Sequence, residues 1–207
     1  MDKKLIYIGD PMCSWCWGFS PVIQALAEQC LGRGDVSIVV GGLHPGTTEV
    51  QDQERKDFLR HHWKEVNQYS GQPFSFGLLD RDDFTYDTEP ACRAVVIVKE
   101  IRGDIEALHF FSKLQHAFYV KNDDITQQDI LTKIAEDSGI DCGIFSERLL
   151  SEEMKRATIA DFDFSRRLGA TGFPTVLVKD ENGYAYLTNG YQPHEVLQPI
   201  LEQWLNS

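Results

Sequence analysis

Cys13 and Cys16, separated by two residues, follow a short apolar run and open a helical pattern, and this juxtaposition restricts the possible folds more than any other feature of the chain. Leu5-Ile6-Tyr7-Ile8 is bounded by Gly9-Asp10-Pro11 and reads as a buried strand. From Ser14 to Cys30, Trp17, Val22, Ile23, Leu26 and Ala27 recur at helical spacing, and Pro21 is expected to kink that helix. Val36 to Val40 is a second β-branched run, closed by Gly41-Gly42. The chain thus opens as a βαβ unit whose first turn carries the thiols.

The middle of the chain is helical in pattern. Residues 50–69 are charged and periodic, with Phe58, Leu59, Trp63 and Val66 assigned to one face. Thr88 before Glu89-Pro90 predicts an N-cap, Asp104 a second and Thr126 a third, and further helical patterns fill 142–150 and 152–168. No strand pattern occurs between about 45 and 172. Thr175 to Val178 is again a strand, Asp180-Glu181-Asn182-Gly183 a hairpin turn and Tyr184 to Leu187 the returning strand. Pro193 starts a last helix through Val196, Leu197, Ile200, Leu201 and Trp204. The expected fold is α/β, a βαβ…ββα core formed by residues 1–45 and 170–207 and interrupted by an all-helical insertion at 46–169.

Three chemistries suit a Cys-x-x-Cys pair. A structural zinc site needs four ligands, and the nearest histidine pair, His61-His62, is adjacent and cannot aim both rings at one ion from a helix. A structural disulfide closing so small a loop adds little stability. The redox reading has a mechanism. A thiol at a helix N-terminus meets unpaired N–H groups and the positive end of the dipole, which lower its pKa to roughly 3.5–7.5 and favour thiolate. Cys16, one turn later, is then placed to attack a mixed disulfide on Cys13.

Composition narrows the partners. The 207 residues carry a formal charge of −12, against nucleic acid or an anionic membrane as the main partner. The apolar run after Lys3-Lys4 is too short for a secretory h-region, and no stretch reaches the roughly 18 apolar residues of a membrane span, so a cytoplasmic location is expected. Five cysteines, spread thinly, are not a secreted disulfide framework, and Cys30, Cys92 and Cys142 are expected to be small buried hydrophobes.

Gly172-Phe173-Pro174-Thr175, immediately before the third strand, looks like the cis-proline loop of the thioredoxin fold. With "DPMCSWCWGFSP", "FTYDTEPACRAVV" and "GATGFPTV", the chain resembles the DsbA family of thiol–disulfide oxidoreductases, in its FrnE-like branch. The resemblance implies Cys13 as nucleophile, Cys16 as resolving thiol, and Pro174 in cis beside them, with Phe173 offering its backbone to a partner strand. It implies a disulfide- or thiol-containing protein or small thiol as partner, no metal and no obligatory cofactor, with glutathione as a reductant or co-substrate at most.

Two positions depart from the family. Tyr7 stands where the family has a buried acid, six residues before the first cysteine, and Asp10 on the following loop is the nearest stand-in. Ser14-Trp15 lacks the histidine of DsbA, so Ser14 brings a hydroxyl to Cys13 but no charge, and a less oxidising couple is expected. The alternatives are a glutathione-dependent enzyme like the kappa-class glutathione transferases and 2-hydroxychromene-2-carboxylate isomerases, which share the insertion and the aromatic at Trp17, and a non-catalytic binding module. His44 is placed on a loop that can face the site, while Trp63, Phe74 and Phe76 are read as core rather than groove. The pairs Asp82-Asp83 and Asp123-Asp124 are read as solvated turn charges, and Asp87-Thr88-Glu89 as a helix cap only.

Overall fold

A computed structural model describes residues 3–207. Strand β1 (Lys4–Gly9) leads through the cysteine loop into helix α1 (Ser14–Cys30) and returns in β2 (Asp35–Val40). Helices α2 (Gln53–Ser70), α3 (Glu89–Arg102), α4 (Asp104–Tyr119), α5 (Gln128–Glu136), α6 (Cys142–Leu150) and α7 (Glu152–Arg167) follow, with one 3₁₀ turn at Gly77–Asp80. Strands β3 (Thr175–Asp180) and β4 (Gly183–Asn189) form a hairpin, and α8 (His194–Asn206) closes the described chain. The sheet order is β2-β1-β3-β4, with β2 parallel to β1 and the other pairs antiparallel. This is a thioredoxin-like α/β fold with a large helical content.

The continuous apolar run of β1 reflects burial on both faces of the sheet. Leu5 and Tyr7 point with Val176 and Val178 into the main core, whereas Ile6 and Ile8 join Val39 and Leu177 beneath Phe164, Leu168, Ala170 and Phe173. The end of α7 therefore covers one face. The main core runs without interruption from the sheet and α1 into the helical block, where Trp63 is fully buried among Phe74, Phe76, Phe118 and Tyr119. Pro21, inside α1, has no N–H for the Trp17 carbonyl, and Gln72 Nε2 supplies the missing donor at 3.3 Å.

Several local expectations change in the fold. Phe58 is exposed, because it lies about 100° round α2 from the stripe of Leu59, Trp63 and Val66. Val196 and Ile200 are exposed for the same reason, the buried stripe of α8 being Leu197, Leu201 and Leu205. Thr88 occupies the N-cap of α3 without capping it; its hydroxyl accepts from the N–H of His44 at 3.1 Å. Asp104 is the first residue of α4 rather than its cap, and its carboxylate accepts from Ile38 N–H at 2.9 Å and Ser37 Oγ at 3.0 Å, tying α4 to β2. Thr126 likewise precedes the N-cap of α5 (Gln127) and donates to Asp124. For Thr88 and Asp104 a tertiary partner outcompetes the local capping bond, and for Thr126 the neighbouring Asp124 carboxylate does. Asp124 is itself buried and paired with Arg81, not a solvated turn charge.

Candidate active site

Cys13 is the N-cap residue of α1, with extended backbone (φ −85°, ψ 118°). No side chain caps this helix and no acidic residue stands in its first turn, so the partial positive charge of the helix start is left to the Cys13 sulfur. That sulfur lies 3.5 Å from the carbonyl oxygen of Phe173, across 160 residues of sequence. The Phe173–Pro174 peptide is cis. Gly41 lets this loop come in: a Cβ there would stand 2.1 Å from the Phe173 ring.

Cys13 and Cys16 are free thiols within hydrogen-bonding reach of one another. Cys13 keeps 7% of its surface exposed and Cys16 none, so an incoming sulfur reaches Cys13 alone. Burial pushes the Cys16 thiol well above its ordinary range, and the neighbouring Cys13 adds to this. Beside Cys16 lies the hydroxyl of Tyr7, fully buried and without a well-formed hydrogen bond, yet close enough to lower the Cys16 thiol in turn. Gly9 makes the space, since a Cβ there would meet the Tyr7 oxygen at 2.6 Å.

Asp10 is buried completely and does not face Cys16 with its carboxylate. Its oxygens accept from the N–H groups of Met12 at 2.8 Å and Leu43 at 2.7 Å, and Cys92 donates to it at 3.4 Å. Burial raises its pKa, and these bonds pull the other way. Asp10 thus joins the cysteine loop to the loop after β2 and to α3. The Met12 carbonyl accepts from two buried phenols, Tyr86 at 2.5 Å and Tyr119 at 2.6 Å. Neither tyrosine is marked by local sequence. Tyr86 lies within "FTYDTEPACRAVV", but nothing near it shows that its hydroxyl ends beside Cys13.

Ser14 is buried as the first residue of α1. Trp15 points outward into an aromatic rim with His62, Tyr69 and Tyr191, at centroid separations of 5.5–6.0 Å. Trp15, Tyr69, Phe173, Tyr191 and Pro193 line an open groove of about 550 Å³, which includes the residue whose carbonyl meets the Cys13 sulfur. Trp17 turns the other way, donating to Pro73 O at 2.9 Å and stacking on Tyr119. His44 packs on Tyr86, half-buried, and burial together with Arg55 lowers its pKa. Asp87 and Thr88 do more than flank a helix: they accept from the N–H groups of Gly46 and His44 and so hold the loop after β2. Cys30 and Cys92 are buried, the former pushed by burial to about 11, whereas Cys142 is exposed at the start of α6, where the side chain of Asp141 caps the helix and leaves the thiol outside. Among the described residues no cluster of metal-ligating side chains occurs and no helix is long and apolar enough to cross a membrane.

The thioredoxin family model matches residues 6–199. A solved structure from Nitrosomonas europaea, provisionally named a protein disulfide isomerase, is 39% identical and superposes with a TM-score of 0.91 over 100% of this chain and 98% of that one. The cytosolic disulfide reductase DsbM from Pseudomonas aeruginosa is 27% identical, with a TM-score of 0.82 over 99% of this chain and 100% of its own, and is also known in a structure with GSH. The ClpXP adapter protein SpxH of Halalkalibacterium halodurans is 22% identical over 95% of this chain, which spans 65% of that relative's length.

Proposed function

The chain belongs to the thioredoxin family, as a DsbA-like member, and we propose that it is a thiol–disulfide oxidoreductase whose redox pair is Cys13–Cys16. The observation that carries this reading is the asymmetry of the pair. One sulfur sits at an uncapped helix start, in a residue that keeps a small opening to solvent near the groove lined by Trp15 and Phe173, and the other lies sealed behind it next to a phenol.

In the proposed reaction, Cys13 thiolate attacks a partner disulfide R–S–S–R′, forming Cys13–S–S–R and releasing R′–S⁻. The Cys16 sulfur then attacks Cys13, and R–S⁻ leaves, taking up the proton that Cys16 gives up. Two electrons pass from the pair to the partner, and the Cys13–Cys16 disulfide remains. Tyr7 is the donor to the Cys16 sulfur as its charge develops, in a site too dry for water to do so. The backbone of Phe173 receives an extended segment of the partner as a short added strand, and the groove of Trp15, Tyr69 and Tyr191 takes its side chains. The reducing direction is favoured because the dipeptide Ser14-Trp15 brings no positive charge to Cys13, and the similarity to DsbM supports it and a role for glutathione in re-reduction of the pair. Cytoplasmic placement follows the same comparison.

The experiment is covalent trapping. Cys16→Ser is expected to retain partners on Cys13 as dithiothreitol-sensitive adducts, because intramolecular release is lost, whereas Cys13→Ser retains none. Adducts of glutathione alone favour the glutathione-dependent alternative. Adducts on neither variant overturn the exchange reading and leave a protein-binding module, the reading that the similarity to an adapter protein supports.

A further inference from the structure

Both polar groups of the Met12–Cys13 peptide are committed. Its N–H donates to the backbone oxygen of Asp10 at 3.0 Å. Its carbonyl oxygen accepts two phenolic hydrogens, from Tyr86 and from Tyr119. A carbonyl has two lone pairs, and here both are filled by groups from distant parts of the chain: Tyr86 before α3, Tyr119 at the end of α4. Both phenols are buried, Tyr119 completely, in an apolar setting of Phe84, Phe118, Phe74 and Trp63. The two hydroxyls also interact with each other, so that they and the Met12 carbonyl form one buried polar group, and an unpaired carbonyl at this depth carries a penalty of its own.

We infer that Tyr86 and Tyr119 are positioning residues for Cys13: acting as a pair on the Met12 carbonyl, they hold the Met12–Cys13 peptide in the orientation that sets the sulfur at the start of α1 and against Phe173 O. This deepens the redox reading above and rests on it. The device also has an electrostatic side. The Met12 oxygen is the negative end of the peptide dipole next to a sulfur that must bear negative charge, and two O–H dipoles aimed at that oxygen offset it. The coupling is visible from the tyrosines, since negative charge on Cys13 makes both phenols harder to ionise, as a contribution smaller than burial. The helical block thus contributes to the chemistry through the peptide it grips rather than through a group that touches substrate.

The test uses Tyr86→Phe, Tyr119→Phe and the double variant of the full chain, each reduced, with the rate of Cys13 alkylation by iodoacetamide followed across pH 5–9 beside the thermal midpoint. Removing one hydroxyl leaves the carbonyl one donor and is expected to slow alkylation at neutral pH by about two- to threefold. Removing both leaves it bare, and the loss is expected to exceed the product of the single losses, at more than about tenfold, because the two donors share one acceptor. A merely structural role lowers the thermal midpoint and leaves the alkylation rates of the folded variants at the parental value, which overturns the inference. If the double variant does not fold, the singles decide: parental alkylation rates in both overturn it, and a slowing in both supports it. The redox reading fails separately, if parental Cys13 is labelled no faster than Cys30, Cys92 and Cys142, and the variant-to-parent ratios still read the tyrosine pair.

Discussion

Replacing Tyr7 by Phe is expected to move stability and activity in opposite directions. The substitution removes one oxygen and leaves the ring, whose contacts with Phe19 and Phe111 persist at centroid separations of 6.2 and 5.6 Å. That oxygen is fully buried and lacks a well-formed hydrogen bond. A buried hydroxyl in this condition costs about 1–3 kcal/mol of desolvation, so its loss is expected to be neutral or to stabilise the fold by up to about 1 kcal/mol. For a chain of this length that is a rise in thermal midpoint of roughly 2–4 °C at most. In the proposed resolving step the same oxygen would have a partner, the Cys16 sulfur as it ionises in a buried site. A hydrogen bond to a charged group is worth about 1.5–3 kcal/mol, and its loss from the transition state slows the step by roughly 10- to 100-fold. The assay is single-turnover release of a fluorescent thiol preloaded on Cys13 as a mixed disulfide, by stopped flow, next to a thermal scan of the reduced protein. Parental release kinetics in a variant that is as stable as the parent refute the donor role. A marked fall in thermal midpoint refutes the account of the hydroxyl as unsatisfied in the resting state.

Gly41→Ala places a methyl group 2.1 Å from the Phe173 ring, so the ring and its loop must move. A destabilisation of about 1–3 kcal/mol is expected, with slower disulfide exchange as Phe173 O leaves Cys13, and unchanged exchange rates show that the loop does not serve the site. Glu202 accepts from Arg33, Gln29 and Asn206, and these partners lower its pKa from 4.5 to about 2. A carboxyl depressed in the folded state stabilises the fold above its unfolded pKa, and that contribution is lost as pH falls from about 4.5 towards 2. Glu202→Gln is therefore expected to flatten the pH dependence of the urea midpoint in that window and to leave the curve above pH 6 parallel to the parent's; an unchanged acid limb refutes the assignment.

The order of elements was legible in the chain because each carries a local signal. The alternation of apolar runs and 3.6-residue periodicity marked β1, α1 and β2, and Asp180 to Gly183 marked the hairpin. Helix caps are the least legible of the local signals. Thr88, Asp104 and Thr126 have the residue types of caps, but such side chains take whatever donor packing brings nearest, and here that donor lay on β2, on the loop after it, or was replaced by an acceptor nearby. Amphipathic faces were blurred at their margins for a related reason: Phe58 and Val196 are apolar and adjacent to a buried stripe, and only the packed neighbour decides which side of the boundary becomes core.

The candidate site divides along the same line. Cys13, Cys16 and the loop before Thr175 announce themselves, since a Cys-x-x-Cys at a strand-to-helix turn and a Gly-x-Pro-Thr before a strand are contiguous in sequence. What surrounds those sulfurs is assembled in large part from positions with no local mark. Tyr7 and Asp10 stand close before Cys13 in the chain, but Tyr86 and Tyr119 lie 74 and 107 residues from the Met12 they hold, and Asp10 reaches Leu43 and Cys92 across the loops. The chain by itself determined which residues are candidates for a redox pair, because thiol chemistry needs particular residue types at a particular spacing. Only the tertiary structure decided how that pair is held and how dry its second sulfur is, because hydrogen-bond partners and burial are properties of packing between segments that are distant in sequence.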